Sequence, residues 1–480
     1  MGGFSVYREK RDMKYITQCG LLEHKRMLDI LKRLIKKYPD LSEYSEKLIE
    51  LEKEAKSIKN KDSKYEKLVL GEKIFQLSYP IVDYVWEREE KSKFISKSSY
   101  RYFARLLLCL KNMAAWRDKK ESFVPYNRED KEGLNAMVFF VLLENDKDLN
   151  GTQYNLEACV AHILKRIMRS SYLGDSSPEN KKWYAEHVDG YEESRKRYVL
   201  EKSLVQMPFM LASRIFSAAS KISEHEMALF KRAQGIVNFL EYDHIMKFLM
   251  PNEAAYTLEN LKKCWDKDEN DPLFSKGLYE VFGFISIKER NMIRWQKYNR
   301  SVNCNLSGHM LETAVWSWVM TFERNHVFKN LDAVAADLFR IGLFHDLPEV
   351  DTGDMDSPLK DGVVLPDDKT LREPSEECER NALANFFYPH FSENVREFFE
   401  KNVCLESLEG PYKEEYHKAA KEGDYFDADW ELIYNIHNGS CSKKFMNIIK
   451  RSIKKKRTPK STAVLREMYF TMKYKKFWDV

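Results

Sequence analysis

The chain has 480 residues, of which 43% are hydrophobic and 13% aromatic, enough apolar material for a large core and for two domains or more. No apolar run approaches the roughly 18 residues that span a bilayer, so no membrane-spanning helix is expected. The eight cysteines stand singly with no Cys-x-x-Cys, which reads as reduced thiols in a cytoplasmic protein rather than disulfides or a zinc knuckle. The net charge of +4 hides a gradient: from Cys441 to Val480 thirteen Lys/Arg stand against Glu467 and Asp479, a basic tail on a mildly acidic body. At the start, charges begin at Arg8 and Val6 stands where a myristoylation signal needs Ser or Thr, so neither a secretory signal nor a lipid anchor is expected.

Residues 1–75 form the first expected region. Leu21, Leu28, Leu31 and Ile35 recur near helical spacing, Pro39-Asp40 interrupts, and Leu41–Ala55 resumes, which predicts a helical hairpin. No alternating strand pattern occurs anywhere, so the fold class is all-α.

Residues 76–250 and 251–440 read as two copies of one helical domain. Trp86 and Trp265 lie 179 residues apart, as do Ser96-Lys97 and Ser275-Lys276, Tyr100 and Tyr279, and Phe103 and Phe282. Asn112-Met113 and Asn291-Met292, Trp116 and Trp295, and Gly174-Asp175 and Gly353-Asp354 keep the same offset, the signature of duplication.

The second copy carries the chemistry. A helix apolar on two faces covers Gly308–Met320, with His309 in its first turn. A second apolar helix, Leu331–Phe344, leads into His345-Asp346. Pro348 disfavours the α region at Leu347, so this helix should end near Asp346 and present His345 and Asp346 together to a pocket. A neutral imidazole beside a carboxylate suits a divalent cation of the Mn, Fe, Co or Zn kind, and such an ion makes a nucleophile of bound water at neutral pH. Two ligands are too few for an ion. His309 can supply a third, and a fourth is expected among Asp424, Asp427 and Asp429.

The stretch His345-Asp346, Glu349, Thr352-Gly353-Asp354, Ser357-Pro358 and Lys360, with Asn305-x-Ser307-x-His309 and Arg294-Trp295 before it, resembles the HD-domain phosphohydrolases. The bacterial HD-type 5'-deoxynucleotidases are the most similar group, and the resemblance covers roughly Met292 to Tyr434. It implies one divalent ion (Mn, Co, Fe, Zn or Mg) on His309, His345, Asp346 and Asp424. Asp427 and Asp429 are then expected to point to solvent. It also implies catalytic roles for Glu349, as general acid or base, and Asp346, and a nucleotide site built from Arg294, Trp295, Asp354 and Lys360. The implied activity is hydrolysis of (deoxy)nucleoside 5'-monophosphates. The alternatives are a nucleotide-binding regulatory protein, or a hydrolase of a dNTP or of a cyclic or oligomeric nucleotide. Gly308 departs from the family, which often has Glu there.

At the constant offset, the first copy has Ala115 for Arg294, Arg166 for His345, Ile167 for Asp346 and Ser170 for Glu349. His309 falls on Asp130 or, equally, on Leu134. A cation and an aliphatic residue cannot hold a divalent metal, so the first copy is expected to be degenerate, with Arg166 filling the vacated cation position. The single-domain proteins of this family act as homodimers. The chain is therefore expected to be a monomer with an internal pseudo-dimer, or a homodimer. The tail, 441–480, mixes lysines with Tyr469, Phe470, Tyr474, Phe477 and Trp478; a solvated face is favoured there over nucleic-acid binding.

Overall fold

A computed structural model describes residues 24–58, 63–113, 127–174, 178–245, 251–262, 271–294, 304–324, 327–353, 360, 362–366, 370–403, 413–438, 447 and 458–472. Among them every regular element is a helix, with two isolated bridges, Ile293–Asn305 and Val364–Thr370, and no strand, so the fold is all-α. No helix among the described residues is long and apolar enough to cross a membrane.

By their contacts the residues fall into two compact units, Met1–Leu106 with Ala161–Lys221, and Leu107–Val160 with Ile222–Val480. This partition cuts across the expected boundaries of 76–250 and 251–440. The first unit holds the expected hairpin, residues 24–37 (α1) and Ser45–Ile58 (α2), followed by Lys64–Arg88 (α3) and most of Lys97–Lys111 (α4). Most of Leu156–Leu173 (α6), with Pro178–His187 (α7), Tyr191–Gln206 (α8) and Phe209–Ser220 (α9), also belongs to it. Buried Leu70, Ile74, Phe75, Ile81 and Val82 line α3, which packs on α8 and α9. Asp83 on α3 takes Arg214 and Ser217 of α9 at 2.8 Å each and Lys221 at 2.6 Å, a half-buried clamp between the two helices.

The second unit is built around Leu306–Thr321 (α13). Every residue of α13 is buried, as its two apolar faces require. Around it stand Arg128–Asn150 (α5), Glu224–Ile245 (α10), Pro251–Lys262 (α11), Lys276–Asn291 (α12), Leu331–Phe344 (α14), the short Glu349–Thr352 (α15), Arg372–Ala382 (α16), Glu393–Val403 (α17), Lys413–His437 (α18) and Pro459–Met472 (α19). The last helix docks on α18 with Val464, Leu465 and Met468 buried. The basic run 448–457 lies outside the described residues.

Two glycines let the neighbours of α13 come close. A Cβ at Gly342 on α14 would stand 2.8 Å from Cα and 2.9 Å from N of Ala314, and one at Gly423 on α18 would stand 3.1 Å from N of Ser317. Backbone gives way less readily than a side-chain tip, so a larger residue at Gly342 would force α14 and α13 apart, and one at Gly423 would need Ser317 to turn and its backbone to yield.

Several local features recur at nearly constant offset. Asn127 caps α5 by accepting from Asp130 N, and Asn305 caps α13 by accepting from Gly308 N. One residue further, Arg128 N donates to Met113 O at 2.8 Å and Leu306 N donates to Met292 O at 3.0 Å. Gly174 and Gly353 take positive φ, 67° and 85°, with their N–H groups on Ser170 O and Glu349 O. The helices α5 and α13 pack on each other, with Gly133 against Leu311, and their charges cross in both directions. Lys111, at the end of α4, reaches Glu312 on α13 at 2.8 Å, and Arg290, 179 residues later at the end of α12, reaches Glu241 on α10 at 2.7 Å. Asn305 donates to Asp130 at 3.0 Å.

Replacing Gly342 by Ala should therefore lower stability by about 1–3 kcal/mol, the usual range for overpacking. Gly362→Ala, with nothing within 4 Å of its Cβ, serves as the control, and denaturant titration of both variants measures the difference.

Candidate metal centre

His345 is the C-cap of α14. Its Nδ1 lies 2.8 Å from Gly342 O, and since a carbonyl only accepts, Nδ1 carries the proton and Nε2 presents a lone pair. His309, fully buried in the first turn of α13, is fixed in the same sense: its Nδ1 lies 2.7 Å from Asp427 Oδ2, while Trp316 Nε1 donates to Asp427 Oδ1 at 3.0 Å. The acceptor on Nδ1 sets the tautomer and leaves Nε2 free.

The two Nε2 atoms, both buried and without a hydrogen-bond partner, look into one space. His309 Nε2 is 3.3 Å from Asp346 Oδ2 and 3.4 Å from Asp424 Oδ1, and His345 Nε2 is 3.2 Å from Asp346 Oδ2. One ligand atom from each of His309, His345 and Asp424 falls within 4.8 Å of the others. Lone pairs and carboxylate oxygens at these separations repel unless a cation stands among them, so this donor set fits a divalent ion of the kind that nitrogen and oxygen ligands hold. The electrostatics agree. Burial disfavours a charged His309 ring, as does Arg294, yet Asp346, Asp424 and Asp427 together hold its pKa well above the ordinary value. Burial would raise the carboxyl of Asp346, but the two histidines hold it well below the usual range. Against the same effect, Asp424 is held low by His309, Lys421 and His345. The pocket thus demands positive charge, and in its absence takes it as a proton on imidazole.

Arg294 follows the Ile293–Asn305 bridge. Its Nη1 donates to Asp346 Oδ2 at 3.4 Å and its Nε to Glu431 Oε2 at 3.2 Å. Glu349, the first residue of α15, is buried at 7% exposure, with Lys360 Nζ 3.7 Å from its Oε1. Lys360 is engaged further by Glu379 at 2.8 Å, which ties it to two carboxylates of the protein. Trp295 and Asp354 lie outside the described residues.

The structure corrects three readings. Asp427 and Asp429 are buried, at 0% and 2% exposure, not solvated. Asp427 stands three residues after Asp424, hence on the same helix face, where it orients His309 rather than meeting water. Counted from the caps Asn127 and Asn305, it is Lys131, not Asp130 or Leu134, that stands four residues on as His309 does, and its ammonium sits 2.5 Å from buried Glu241. That register comes from the caps, a signal readable only once both helix starts are known. Arg166 is half-buried and Ile167 fully buried.

Two further residues escaped the sequence. Glu431, one turn beyond Asp427, is buried at 1% exposure and forms with His309 and Asp427 a second group of possible ligands. Lys421 places its ammonium 3.7 Å from Asp424 Oδ2. Both sit at helical spacing from Asp424, which was the available signal.

A family model described as 5'-deoxynucleotidase YfbR-like matches residues 282–472, less than half of the chain. The matched region begins within α12, ends with α19 and contains Arg294, His309, His345, Asp346, Glu349 and Asp424. No curated protein matches the chain.

Asp427→Asn, which keeps the shape but weakens the acceptor for Nδ1–H, should lower affinity for a divalent ion 10–100-fold, the usual effect of losing such a partner. Titration of the metal-stripped protein with Mn or Co, followed by calorimetry, measures it.

Proposed function

We propose that this chain is a metal-dependent phosphohydrolase of nucleoside 5'-monophosphates, with residues 251–440 as its catalytic domain. The observation that carries the reading is the pair of buried imidazoles, each fixed with Nε2 outward, facing Asp346 and Asp424 with an arginine alongside. The match to 5'-deoxynucleotidase YfbR-like proteins supports the substrate class.

His309, His345, Asp346 and Asp424 would hold one divalent ion, which when bound supplies Lewis acidity and a water of lowered pKa. The guanidinium of Arg294 projects at the same carboxylate and takes the phosphate oxygens, for which its planar fork is suited. Glu349, buried one turn from Asp346, moves the proton of the attacking water or of the leaving alcohol. Trp295 and Asp354 are assigned to the nucleoside from the sequence resemblance, and Lys360 to holding Glu349 and α16 in place near the phosphate.

Residues 76–250 are, on the same reading, a degenerate copy of the catalytic domain. The repeated asparagine caps, the N–H to methionine carbonyl bonds, the paired positive-φ glycines and the reciprocal reach of Lys111 and Arg290 support it. Cations at the same offset, each reaching a carboxylate across the pair of packed helices, are in keeping with a self-complementary interface, and on this reading the chain carries an internal pseudo-dimer. The helices α5 and α10 belong to the same compact unit as the catalytic helices.

Phosphate release from a panel of ribo- and deoxyribonucleoside 5'-monophosphates with Mn, Co, Zn or Mg tests the activity. His345→Ala should abolish it with loss of the ion. Glu349→Ala should keep the ion and lower kcat roughly 100-fold or more, the scale of general acid–base groups. Failure of every mononucleotide with a metal-loaded chain would reject the assignment. A second measurement concerns the halves: 251–440 expressed alone should be insoluble or self-associating, since it lacks α5 and α10, and a soluble, active monomer would reject the pseudo-dimer.

A further inference from the structure

Lys111 lies far from the proposed ligands in sequence and is the last residue of α4, yet its side chain is only 6% exposed. Its ammonium stands 2.8 Å from Glu312 Oε2 and 3.9 Å from both Glu129 Oε2 and Glu431 Oε1, and the side chains of all three glutamates are fully buried. Burying three carboxylates around one cation is costly unless the cation stays. Burial pushes Glu129 up to about 8 and Glu312 well above its ordinary range, against the pull of Lys111.

Glu431 connects this cluster to the candidate site. One of its oxygens faces Lys111, and the other accepts from Arg294 Nε at 3.2 Å, while Nη1 of the same guanidinium reaches Asp346. The direction of the arginine fork is therefore set by where the Glu431 carboxylate lies. The mirror-image cation, Arg290, meets Glu241 at 2.7 Å, and that glutamate turns to Lys131 instead of an arginine. The crossing cation recurs in both halves, but only on the Lys111 side does it lead to a residue placed for substrate.

We infer that Lys111, contributed from outside the catalytic domain, is a positioning residue for the phosphate-binding arginine: through Glu431 it fixes the direction of the Arg294 guanidinium. The inference rests on the reading that Arg294 takes the substrate phosphate. Without the ammonium, Glu431 draws the guanidinium fork onto itself in a bidentate pair and turns it away from the phosphate.

The test is calorimetric binding of inorganic phosphate to the full-length, Mn-loaded chain, with metal content and KM measured in parallel. Lys111→Met should weaken phosphate roughly tenfold or more, as displacement of a positioning group by about 1 Å can. Metal content should hold, the loss should appear in KM more than in kcat, and Lys111→Arg should restore affinity. In an Arg294→Ala background, Lys111→Met should have no further effect, because both act through one path. Equal weakening in both backgrounds, or none in either, overturns the inference. So does an Arg294→Ala variant that binds phosphate like the wild type. If phosphate binds through Arg294 but no mononucleotide is hydrolysed, the assigned activity fails while the role of Lys111 stands. Should Lys111→Met not fold, Lys111→Met/Glu312→Leu removes both partners of the 2.8 Å contact and leaves Glu431 without its ammonium. The same tenfold loss is expected there, and wild-type affinity overturns the inference.

Discussion

An imidazole ligates only through the nitrogen that has given up its proton, and in α13 that choice is made by Asp427. The carboxylate holds Nδ1–H of His309 at 2.7 Å and is itself held by Trp316, so Nε2 has one direction, toward Asp346 and Asp424. For Asp427 to be there, α18 must lie directly on α13, and Gly423 permits it. For His345 to join from the other side, α14 must lie as close, and Gly342 against the backbone of Ala314 permits that. The geometry of the four candidate ligands is thus a consequence of helix spacing, set by two positions that carry no side chain.

Much of this was legible in the sequence. The double apolar stripe of Gly308–Met320 announced a buried helix, and α13 is buried throughout. Pro348 announced a helix end near Asp346, and the C-cap of α14 is His345, one residue earlier. The choice of Asp424 over its neighbours came from a resemblance, and Asp424 does lie 3.4 Å from His309 Nε2. What failed was the treatment of Asp427 and Asp429. An aspartate among aspartates on an exposed-looking, lysine-rich helix carries no mark of burial, because the group that buries it, Trp316, lies 111 residues away.

The charged interior of the second unit was invisible for the same reason. Glu129 and Asp130 read as ordinary acids in the first turn of a helix and Lys111 as an ordinary base in the last turn of another, each favourable to the helix dipole. Their burial follows from the packing of α5 on α13, which brings two helix starts together. Each side then supplies cations for the other's carboxylates, through Lys111 and Arg290. Local propensity explains why these residues stand where they do in their helices; only the second layer of structure explains why none of them is solvated.

Gly308 shows what such an arrangement does to the freedom of a sequence to change. A Cβ there would come 2.5 Å from Glu129 Oε2 and 3.0 Å from Asn305 Oδ1, so the space beside His309 that residue 308 might have used is filled from α5. The two positions have become dependent on each other across 179 residues of chain. A side chain at residue 308 would have to displace the flexible end of Glu129, and loss of the Glu129 carboxylate would open space beside His309. Substitutions at the two positions should therefore act together rather than independently.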